Sequence, residues 1–144
     1  MKYHQIFKPS DLEAVRDQIK GAEQLTSGEI RVYLEDHSVD DPLDRAAYLF
    51  EKLGMSKTEL RNGVLIYIAC VDRRFCIIGD AGIHALVGED FWQEISTNMR
   101  DSFAQGLMRE GLLNAIIAAG QALSIHFPRS GNDRNELSNE VILG

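Results

Sequence analysis

Residues 64–70 read VLIYIAC, apolar at nearly every position. A strand of that pattern is covered on both faces, so it belongs inside a sheet that has a further layer on either side. Asn62-Gly63 opens it, and Val71-Asp72-Arg73-Arg74 separates it from a second apolar run, FCIIG. Strands joined across so short a polar break pair antiparallel. A third candidate, EIRVYLED from Glu29, alternates Ile30, Val32 and Leu34 with polar or aromatic residues and reads as a half-buried strand. A helix falls between it and VLIYIAC, and the crossover rule makes those two strands parallel.

The helices follow from spacing and caps. Pro9-Ser10-Asp11-Leu12-Glu13 reads as a capping box with Ser10 as cap and Glu13 reaching back, followed by a stripe of Leu12, Val15, Ile19 and Ala22 that ends near Leu25. Asp41-Pro42-Leu43-Asp44 starts a second helix whose predicted buried face is Leu43, Ala46, Ala47, Phe50 and Leu53, closed by Gly54. Ser56 and Glu59 suggest one further turn. A third helix begins at Gly88-Glu89-Asp90 and carries Phe91, Ile95, Met99 and Phe103 to Gly106. A fourth carries Leu112, Ala115, Ile116, Ala119 and Leu123 to about His126, before Pro128. The order α-β-α-β-β-α-α predicts an α/β fold, a three-layer α/β/α sandwich around a small mixed sheet. The expected domain covers residues 1–128, with a polar tail over 129–144 that is either disordered or folded back.

Charge narrows the partners. With 22 acids against 15 bases the chain carries a formal charge of −7. No dense Lys/Arg cluster is present, and both nucleic acid and anionic membrane reward concentrated positive charge. The start, MKYHQIFKPSDLE, has no apolar core of signal-peptide length, and no stretch approaches the ~20 apolar residues of a membrane-spanning helix. The expectations are a cytoplasmic location, no nucleic acid and no membrane insertion. Two cysteines make no disulfide framework.

TSGEIRV, RAAYLFEKLGM, RNGVLIYIACVDRRFCIIGDAGI and FW, in that order and spacing, resemble the TPM domain family over roughly residues 5–128. The stretch from Arg61 to Ile83 is the most specific part, and the NELSNEV tail looks like that of short soluble bacterial members. The resemblance implies an α/β/α sandwich and binding of a divalent cation, usually calcium. For the thylakoid branch it also implies acid phosphatase activity. Most members carry a signal peptide and a membrane anchor beside the domain; neither is expected here.

Chain direction sorts the acids by sheet edge. The first two strands begin at Glu29 and Asn62-Gly63, and the third, running back, ends at Gly79-Asp80 beside those beginnings. The third helix starts from that edge at Glu89-Asp90, and the fourth returns to it and delivers Asp133, Glu136 and Glu140. Carboxylates in number, on loops with glycine carbonyls, suit Ca2+ with its six to eight oxygen ligands, with Mg2+ or Mn2+ as substitutes. The expected metal site is centred on Asp80, with Glu29, Glu89, Asp90, Asp133 and Glu136 as further candidates. The competing reading is that Asp80 merely turns the chain while the other acids cap helices or lie in water.

Other constellations are weaker. Glu35, Asp36 and His37 with Asp72 have metal-ligand chemistry, but an exposed histidine beside acids is ordinarily solvated surface. Cys70 and Cys76 read as small buried hydrophobes, and as cross-strand neighbours if the hairpin loop has three residues. Arg73-Arg74 could meet phosphate or simply lie in solvent. Ser27 lacks a nucleophile elbow, and Gly79-x-x-Gly82 is neither a Rossmann nor a P-loop fingerprint. Two functions follow: a TPM-type binding or regulatory module that binds a divalent cation and docks a protein partner, or a metal-assisted phosphatase acting on phosphoesters. The absence of a nucleophile, base histidine or arginine clamp beside Asp80 favours the module.

Overall fold

A computed structural model describes residues 3–129 and 141–144. Its sheet has the strand order β3 (Arg74–Gly79), β2 (Gly63–Ala69), β1 (Glu29–Glu35), β4 (Val141–Leu143). Strand β1 (Glu29–Glu35) runs parallel to β2 (Gly63–Ala69), in register from Glu29 opposite Gly63 to Glu35 opposite Ala69. The latter pairs antiparallel with β3 (Arg74–Gly79), from Val64 opposite Gly79 to Ala69 opposite Arg74. All seven residues of β2 are buried, as its apolar run requires. The last strand, β4 (Val141–Leu143), pairs parallel with β1 from Val32 opposite Val141. The tail therefore returns to the sheet, an outcome the sequence left open.

One sheet face packs Ile30, Val32, Leu34, Val64, Ile66, Ile68 and Ile77 against helices α2 (Pro9–Glu23), α5 (Glu89–Ala104) and α6 (Met108–His126). The other face packs Leu65, Tyr67 and Ala69 against α3 (Pro42–Lys52) and the 3-10 turn Met55–Lys57. This is the expected three-layer arrangement. The short helices α1 (Tyr3–Ile6) and α4 (Ala81–Val87) add to the predicted order.

Several local expectations need correction. The first long helix is capped at Lys8, not Ser10: proline favours the first helical position, so Pro9 takes it, and the Lys8 amide donates to Asp11 Oδ2 at 2.9 Å. Strand β1 is almost wholly buried instead of half-buried: on the face that alternation assigned to solvent, Tyr33 packs with the α3-side cluster, Glu35 pairs with Arg45 of α3, and Glu29 and Arg31 are buried together. The buried stripe of α3 is Ala46, Leu49 and Phe50; Leu43 and Ala47 are exposed. That narrower stripe keeps spacings of three and four but is rotated from the predicted face. Cys76 lies opposite Tyr67 and packs on the α3 side, whereas Cys70 belongs to the larger core, so the two are not neighbours.

Direction places the ends as expected. Trp92 of α5 lies against Gly79, and Phe103 near its other end meets Phe75 edge to face at 5.3 Å, so α5 runs back along β3. At the far end of α6, the Ser27 amide donates to Phe127 O (3.0 Å) and Thr26 Oγ1 to Leu123 O (3.0 Å). The fourth predicted helix thus ends where β1 begins. Asp133, Glu136 and Glu140 lie outside the described residues.

Candidate functional site

At the corner between β3 and α4, the Asp80 backbone is extended (φ −68°, ψ 168°), which makes it the cap of α4, with Oδ1 accepting from the Ala81 amide at 2.8 Å. The same carboxylate accepts from Arg61, Nε to Oδ2 at 2.7 Å and Nη2 to Oδ1 at 2.8 Å. Such a fork is the strong, directional form of an ion pair. Asp80 is buried, while the Arg61 side chain is half exposed, and the hydrogen bonds to Asp80 hold the guanidinium pKa above its usual value. The Gly82 amide donates to Arg61 O at 2.8 Å across a contact so close that a Cβ on Gly82 would stand 2.1 Å from Leu60 O. The corner is a joint that locks the β2 lead-in to the start of α4. Asp80 turns the chain and also holds a cation, and the cation is Arg61.

The other acids are placed differently. Glu89 and Asp90 are exposed in the first turn of α5, where negative charge favours the helix dipole, and Glu89 Oε1 accepts from Gln93 at 3.5 Å. Glu29 is buried at the start of β1, in a polar group with Glu23 and Arg31. Glu23 Oε2 accepts from the Ile30 amide at 2.7 Å, and its backbone carbonyl accepts from Arg129 Nη1 at 2.9 Å. Burial lowers the pKa of Arg31, while Glu29 and Glu23 act to raise it. Among the described residues no three His, Cys, Asp or Glu side chains lie close enough together to hold a metal ion.

Among the described residues, one buried side-chain oxygen at this edge is unsatisfied. Asn62, 1% exposed, donates through Nδ2 to Ser27 Oγ at 3.3 Å, and its amide donates to Thr58 Oγ1 at 3.3 Å. Its Oδ1 is buried and has no hydrogen-bond partner among the described residues. A buried carbonyl oxygen left so costs free energy, and an oxygen-seeking cation would meet that need.

The family model TPM_phosphatase, described as the TPM domain, matches residues 1–122. The chain belongs to the TPM domain family. It is similar to the BA42 protein of the psychrophilic bacterium Bizionia argentinensis, at 43% identity and a TM-score of 0.88, over 96% of this chain and 95% of that one. The N-terminal domain of a P. gingivalis protein shares the fold at 21% identity and a TM-score of 0.70, covering 87% and 83% of the two chains. The N-terminal domain of cg2496 from Corynebacterium glutamicum does so at 17% and 0.55, covering 88% and 76%. No curated protein matches. Among the described residues no helix is long and apolar enough to cross a membrane.

At the opposite edge of this TPM domain, Glu35 is taken by Arg45 at 2.9 and 3.0 Å and by the Tyr67 hydroxyl. His37 Nδ1 meets Asp72 Oδ1 at 2.8 Å, and Asp72 also accepts from the Ser38 amide, contacts that hold its carboxyl below the usual range. Sequence reasoning missed Arg61, Asn62, Glu23 and Arg31 as site residues. The only local signal was a charged-polar pair, Arg61-Asn62, set directly before a buried strand.

The cysteines are poor nucleophiles. Burial pushes the Cys70 thiol up to about 12 and the Cys76 thiol up to about 11. At pH 8 the folded domain is expected to react with Ellman's reagent at least about tenfold more slowly than the urea-unfolded chain, because the thiolate is the attacking form. Equal rates would contradict this.

Proposed function

We propose that this TPM domain is a binding module that takes up a divalent cation, calcium first and magnesium or manganese more weakly, at the edge where β1 and β2 begin. The observation that carries the reading is the buried Asn62 Oδ1, without a hydrogen-bond partner among the described residues, an amide oxygen of the kind that ligates calcium. Glu29 begins the neighbouring strand, its amide donating to Asn62 O at 3.4 Å. Arg129 is tied to this edge through Leu25 O and Glu23 O, and Val141 pairs with Val32 of β1. The stretch between those anchors supplies Asp133 and Glu136. In this reading the ligands are Asn62 Oδ1, Glu29, Asp133 and Glu136. The cation fastens the C-terminal strand to β1 and so fixes a surface on which a protein partner docks. Asp80 stays with Arg61, and Glu89 and Asp90 stay with their helix.

Phosphoester hydrolysis, which the family model's name includes, is the second reading. Among the described residues, the chemistry against it is the lack of a nucleophile with a paired base at this edge.

Two measurements on the purified full chain test the proposal. Millimolar calcium is expected to raise the melting temperature, since a ligand selective for the folded state stabilises it by about 1.4 kcal/mol at ten times its Kd. The rise persists in Asp80→Ala and vanishes in Asp133→Asn/Glu136→Gln; no rise in the unmutated chain sinks the reading. An aryl phosphate with calcium, magnesium or manganese is expected to turn over no faster than without protein. Turnover lost in the same double variant would put the phosphatase in its place.

A further inference from the structure

The far edge of the sheet holds a feature that the cation reading does not use. Between the β2–β3 hairpin and the turn joining α5 to α6 lies an open cavity of about 470 Å³. That is the size of a small-molecule site, about 300–1,000 Å³ in general. Ile68, Phe75, Phe103 and Met108 give it an apolar wall, with Phe75 and Phe103 in edge-to-face contact. Cys70 also lines it, its thiol kept neutral by burial and hence part of the apolar wall.

Its charged lining is of one sign. Arg73, Arg74 and Arg100 line the cavity, and among the described residues no acidic side chain does. All three are exposed. Arg74 reaches Asp41 at 3.9 Å and, beside the hydrogen bonds from His37 and the Ser38 amide, also lowers the pKa of Asp72, whereas among the described residues neither Arg73 nor Arg100 forms an ion pair. The Arg73 backbone is left-handed (φ 57°), so the hairpin turn that sets it there stores some strain. In a chain of net charge −7, three guanidiniums thus stand on the rim of an apolar wall, with Asp36, Asp41 and Asp72 behind Cys70 and Arg74. Three guanidiniums are too few to hold a nucleic acid, and a concave cavity suits a small ligand better than a flat protein face.

We propose that this cleft binds a small amphipathic anion: one apolar chain ending in a carboxylate or a phosphate monoester. The chain lies against Phe75, Phe103 and Met108, and the head group is met by the arginines, whose planar forks match either anion.

Calorimetric titration of the full chain with decanoate, decyl phosphate and decanol tests this. Saturable one-to-one binding of at least one anion is expected, with decanol at least about tenfold weaker, and with affinity falling as sodium chloride rises. The tighter of the two anions identifies the head group. Arg73→Asn/Arg100→Gln, with asparagine chosen to suit the left-handed turn, is expected to weaken binding about tenfold at an unchanged melting temperature. Ala104→Trp fills the cleft from an exposed position and should abolish binding without emptying the core. Decanol binding as tightly as the anions, affinity unmoved in the arginine variant, or no anion binding at millimolar concentration would each overturn the proposal.

Discussion

Gly82→Ala is expected to destabilise the domain by about 3 kcal/mol and to lower its melting temperature by on the order of 10 °C. The added Cβ would stand 2.1 Å from Leu60 O and 2.6 Å from Arg61 O. These are backbone oxygens, so no rotamer change relieves the clash. The chain must move, and with it go the Gly82 and Ile83 amide bonds to Arg61 O at 2.8 and 3.3 Å. Moving Arg61 also disturbs its fork on Asp80 and the start of α4. Gly21→Ala is the matched control: it lies within α2, where an added Cβ meets nothing within 4 Å outside its chain neighbours and its own helix backbone, and should stabilise by about 0.5–1 kcal/mol. A melting temperature for Gly82→Ala close to that of the unmutated domain would show that the corner is not the close-packed joint described.

Glu35→Ala is expected to cost about 3 kcal/mol in urea unfolding. Glu35 ends β1 beneath α3, largely buried, and accepts from Arg45 Nε and Nη2 and from the Tyr67 hydroxyl. Its hydrogen bonds hold the Arg45 pKa above the usual range. Burial, together with the bond to Glu35, raises that of Tyr67. Removing the carboxylate leaves a largely buried guanidinium and a fully buried hydroxyl without their acceptor, and orphaned buried groups are the expensive outcome. Removing Arg45 as well should recover part of the loss, since Glu35→Ala/Arg45→Ala leaves no unpaired charge. A cost under about 1 kcal/mol for Glu35→Ala, or full additivity in the double variant, would show that the three groups do not depend on one another for burial.

The sheet was legible because its signals are local. An unbroken apolar run, VLIYIAC, followed across a short polar break by FCIIG, dictates a buried central strand with an antiparallel neighbour. An intervening helix dictates the parallel pair. Those directions alone put Glu29 and Asp80 on one edge, and the structure agrees: Glu29 lies opposite Gly63, and the Asp80 amide donates to Gly63 O at 2.9 Å.

Side-chain partnership was not legible. Nothing local shows that Asp80 answers to Arg61, 19 positions earlier, or that Glu35 answers to Arg45 and Tyr67. An aspartate between glycines reads equally well as an ion ligand and as a turn of the chain; its partner is set by packing, and the helix it caps, Ala81–Val87, was not expected. The strand Val141–Leu143 was open for the same reason, since so short an apolar segment becomes a strand only when β1 presents an edge to it. Asn62 escaped notice because an unsatisfied oxygen is a property of surroundings rather than of residue type.

The most direct test of the cation edge is a calcium titration of the uniformly 15N-labelled chain, followed amide by amide. The account predicts that the largest shifts fall together on Glu29, Asn62, Gly63 and Val141–Leu143, while Arg61, Asp80, Ala81, Glu89 and Asp90 move little. Largest shifts on Asp80–Gly82 or on Glu89 and Asp90, or no shifts at millimolar calcium, would contradict it.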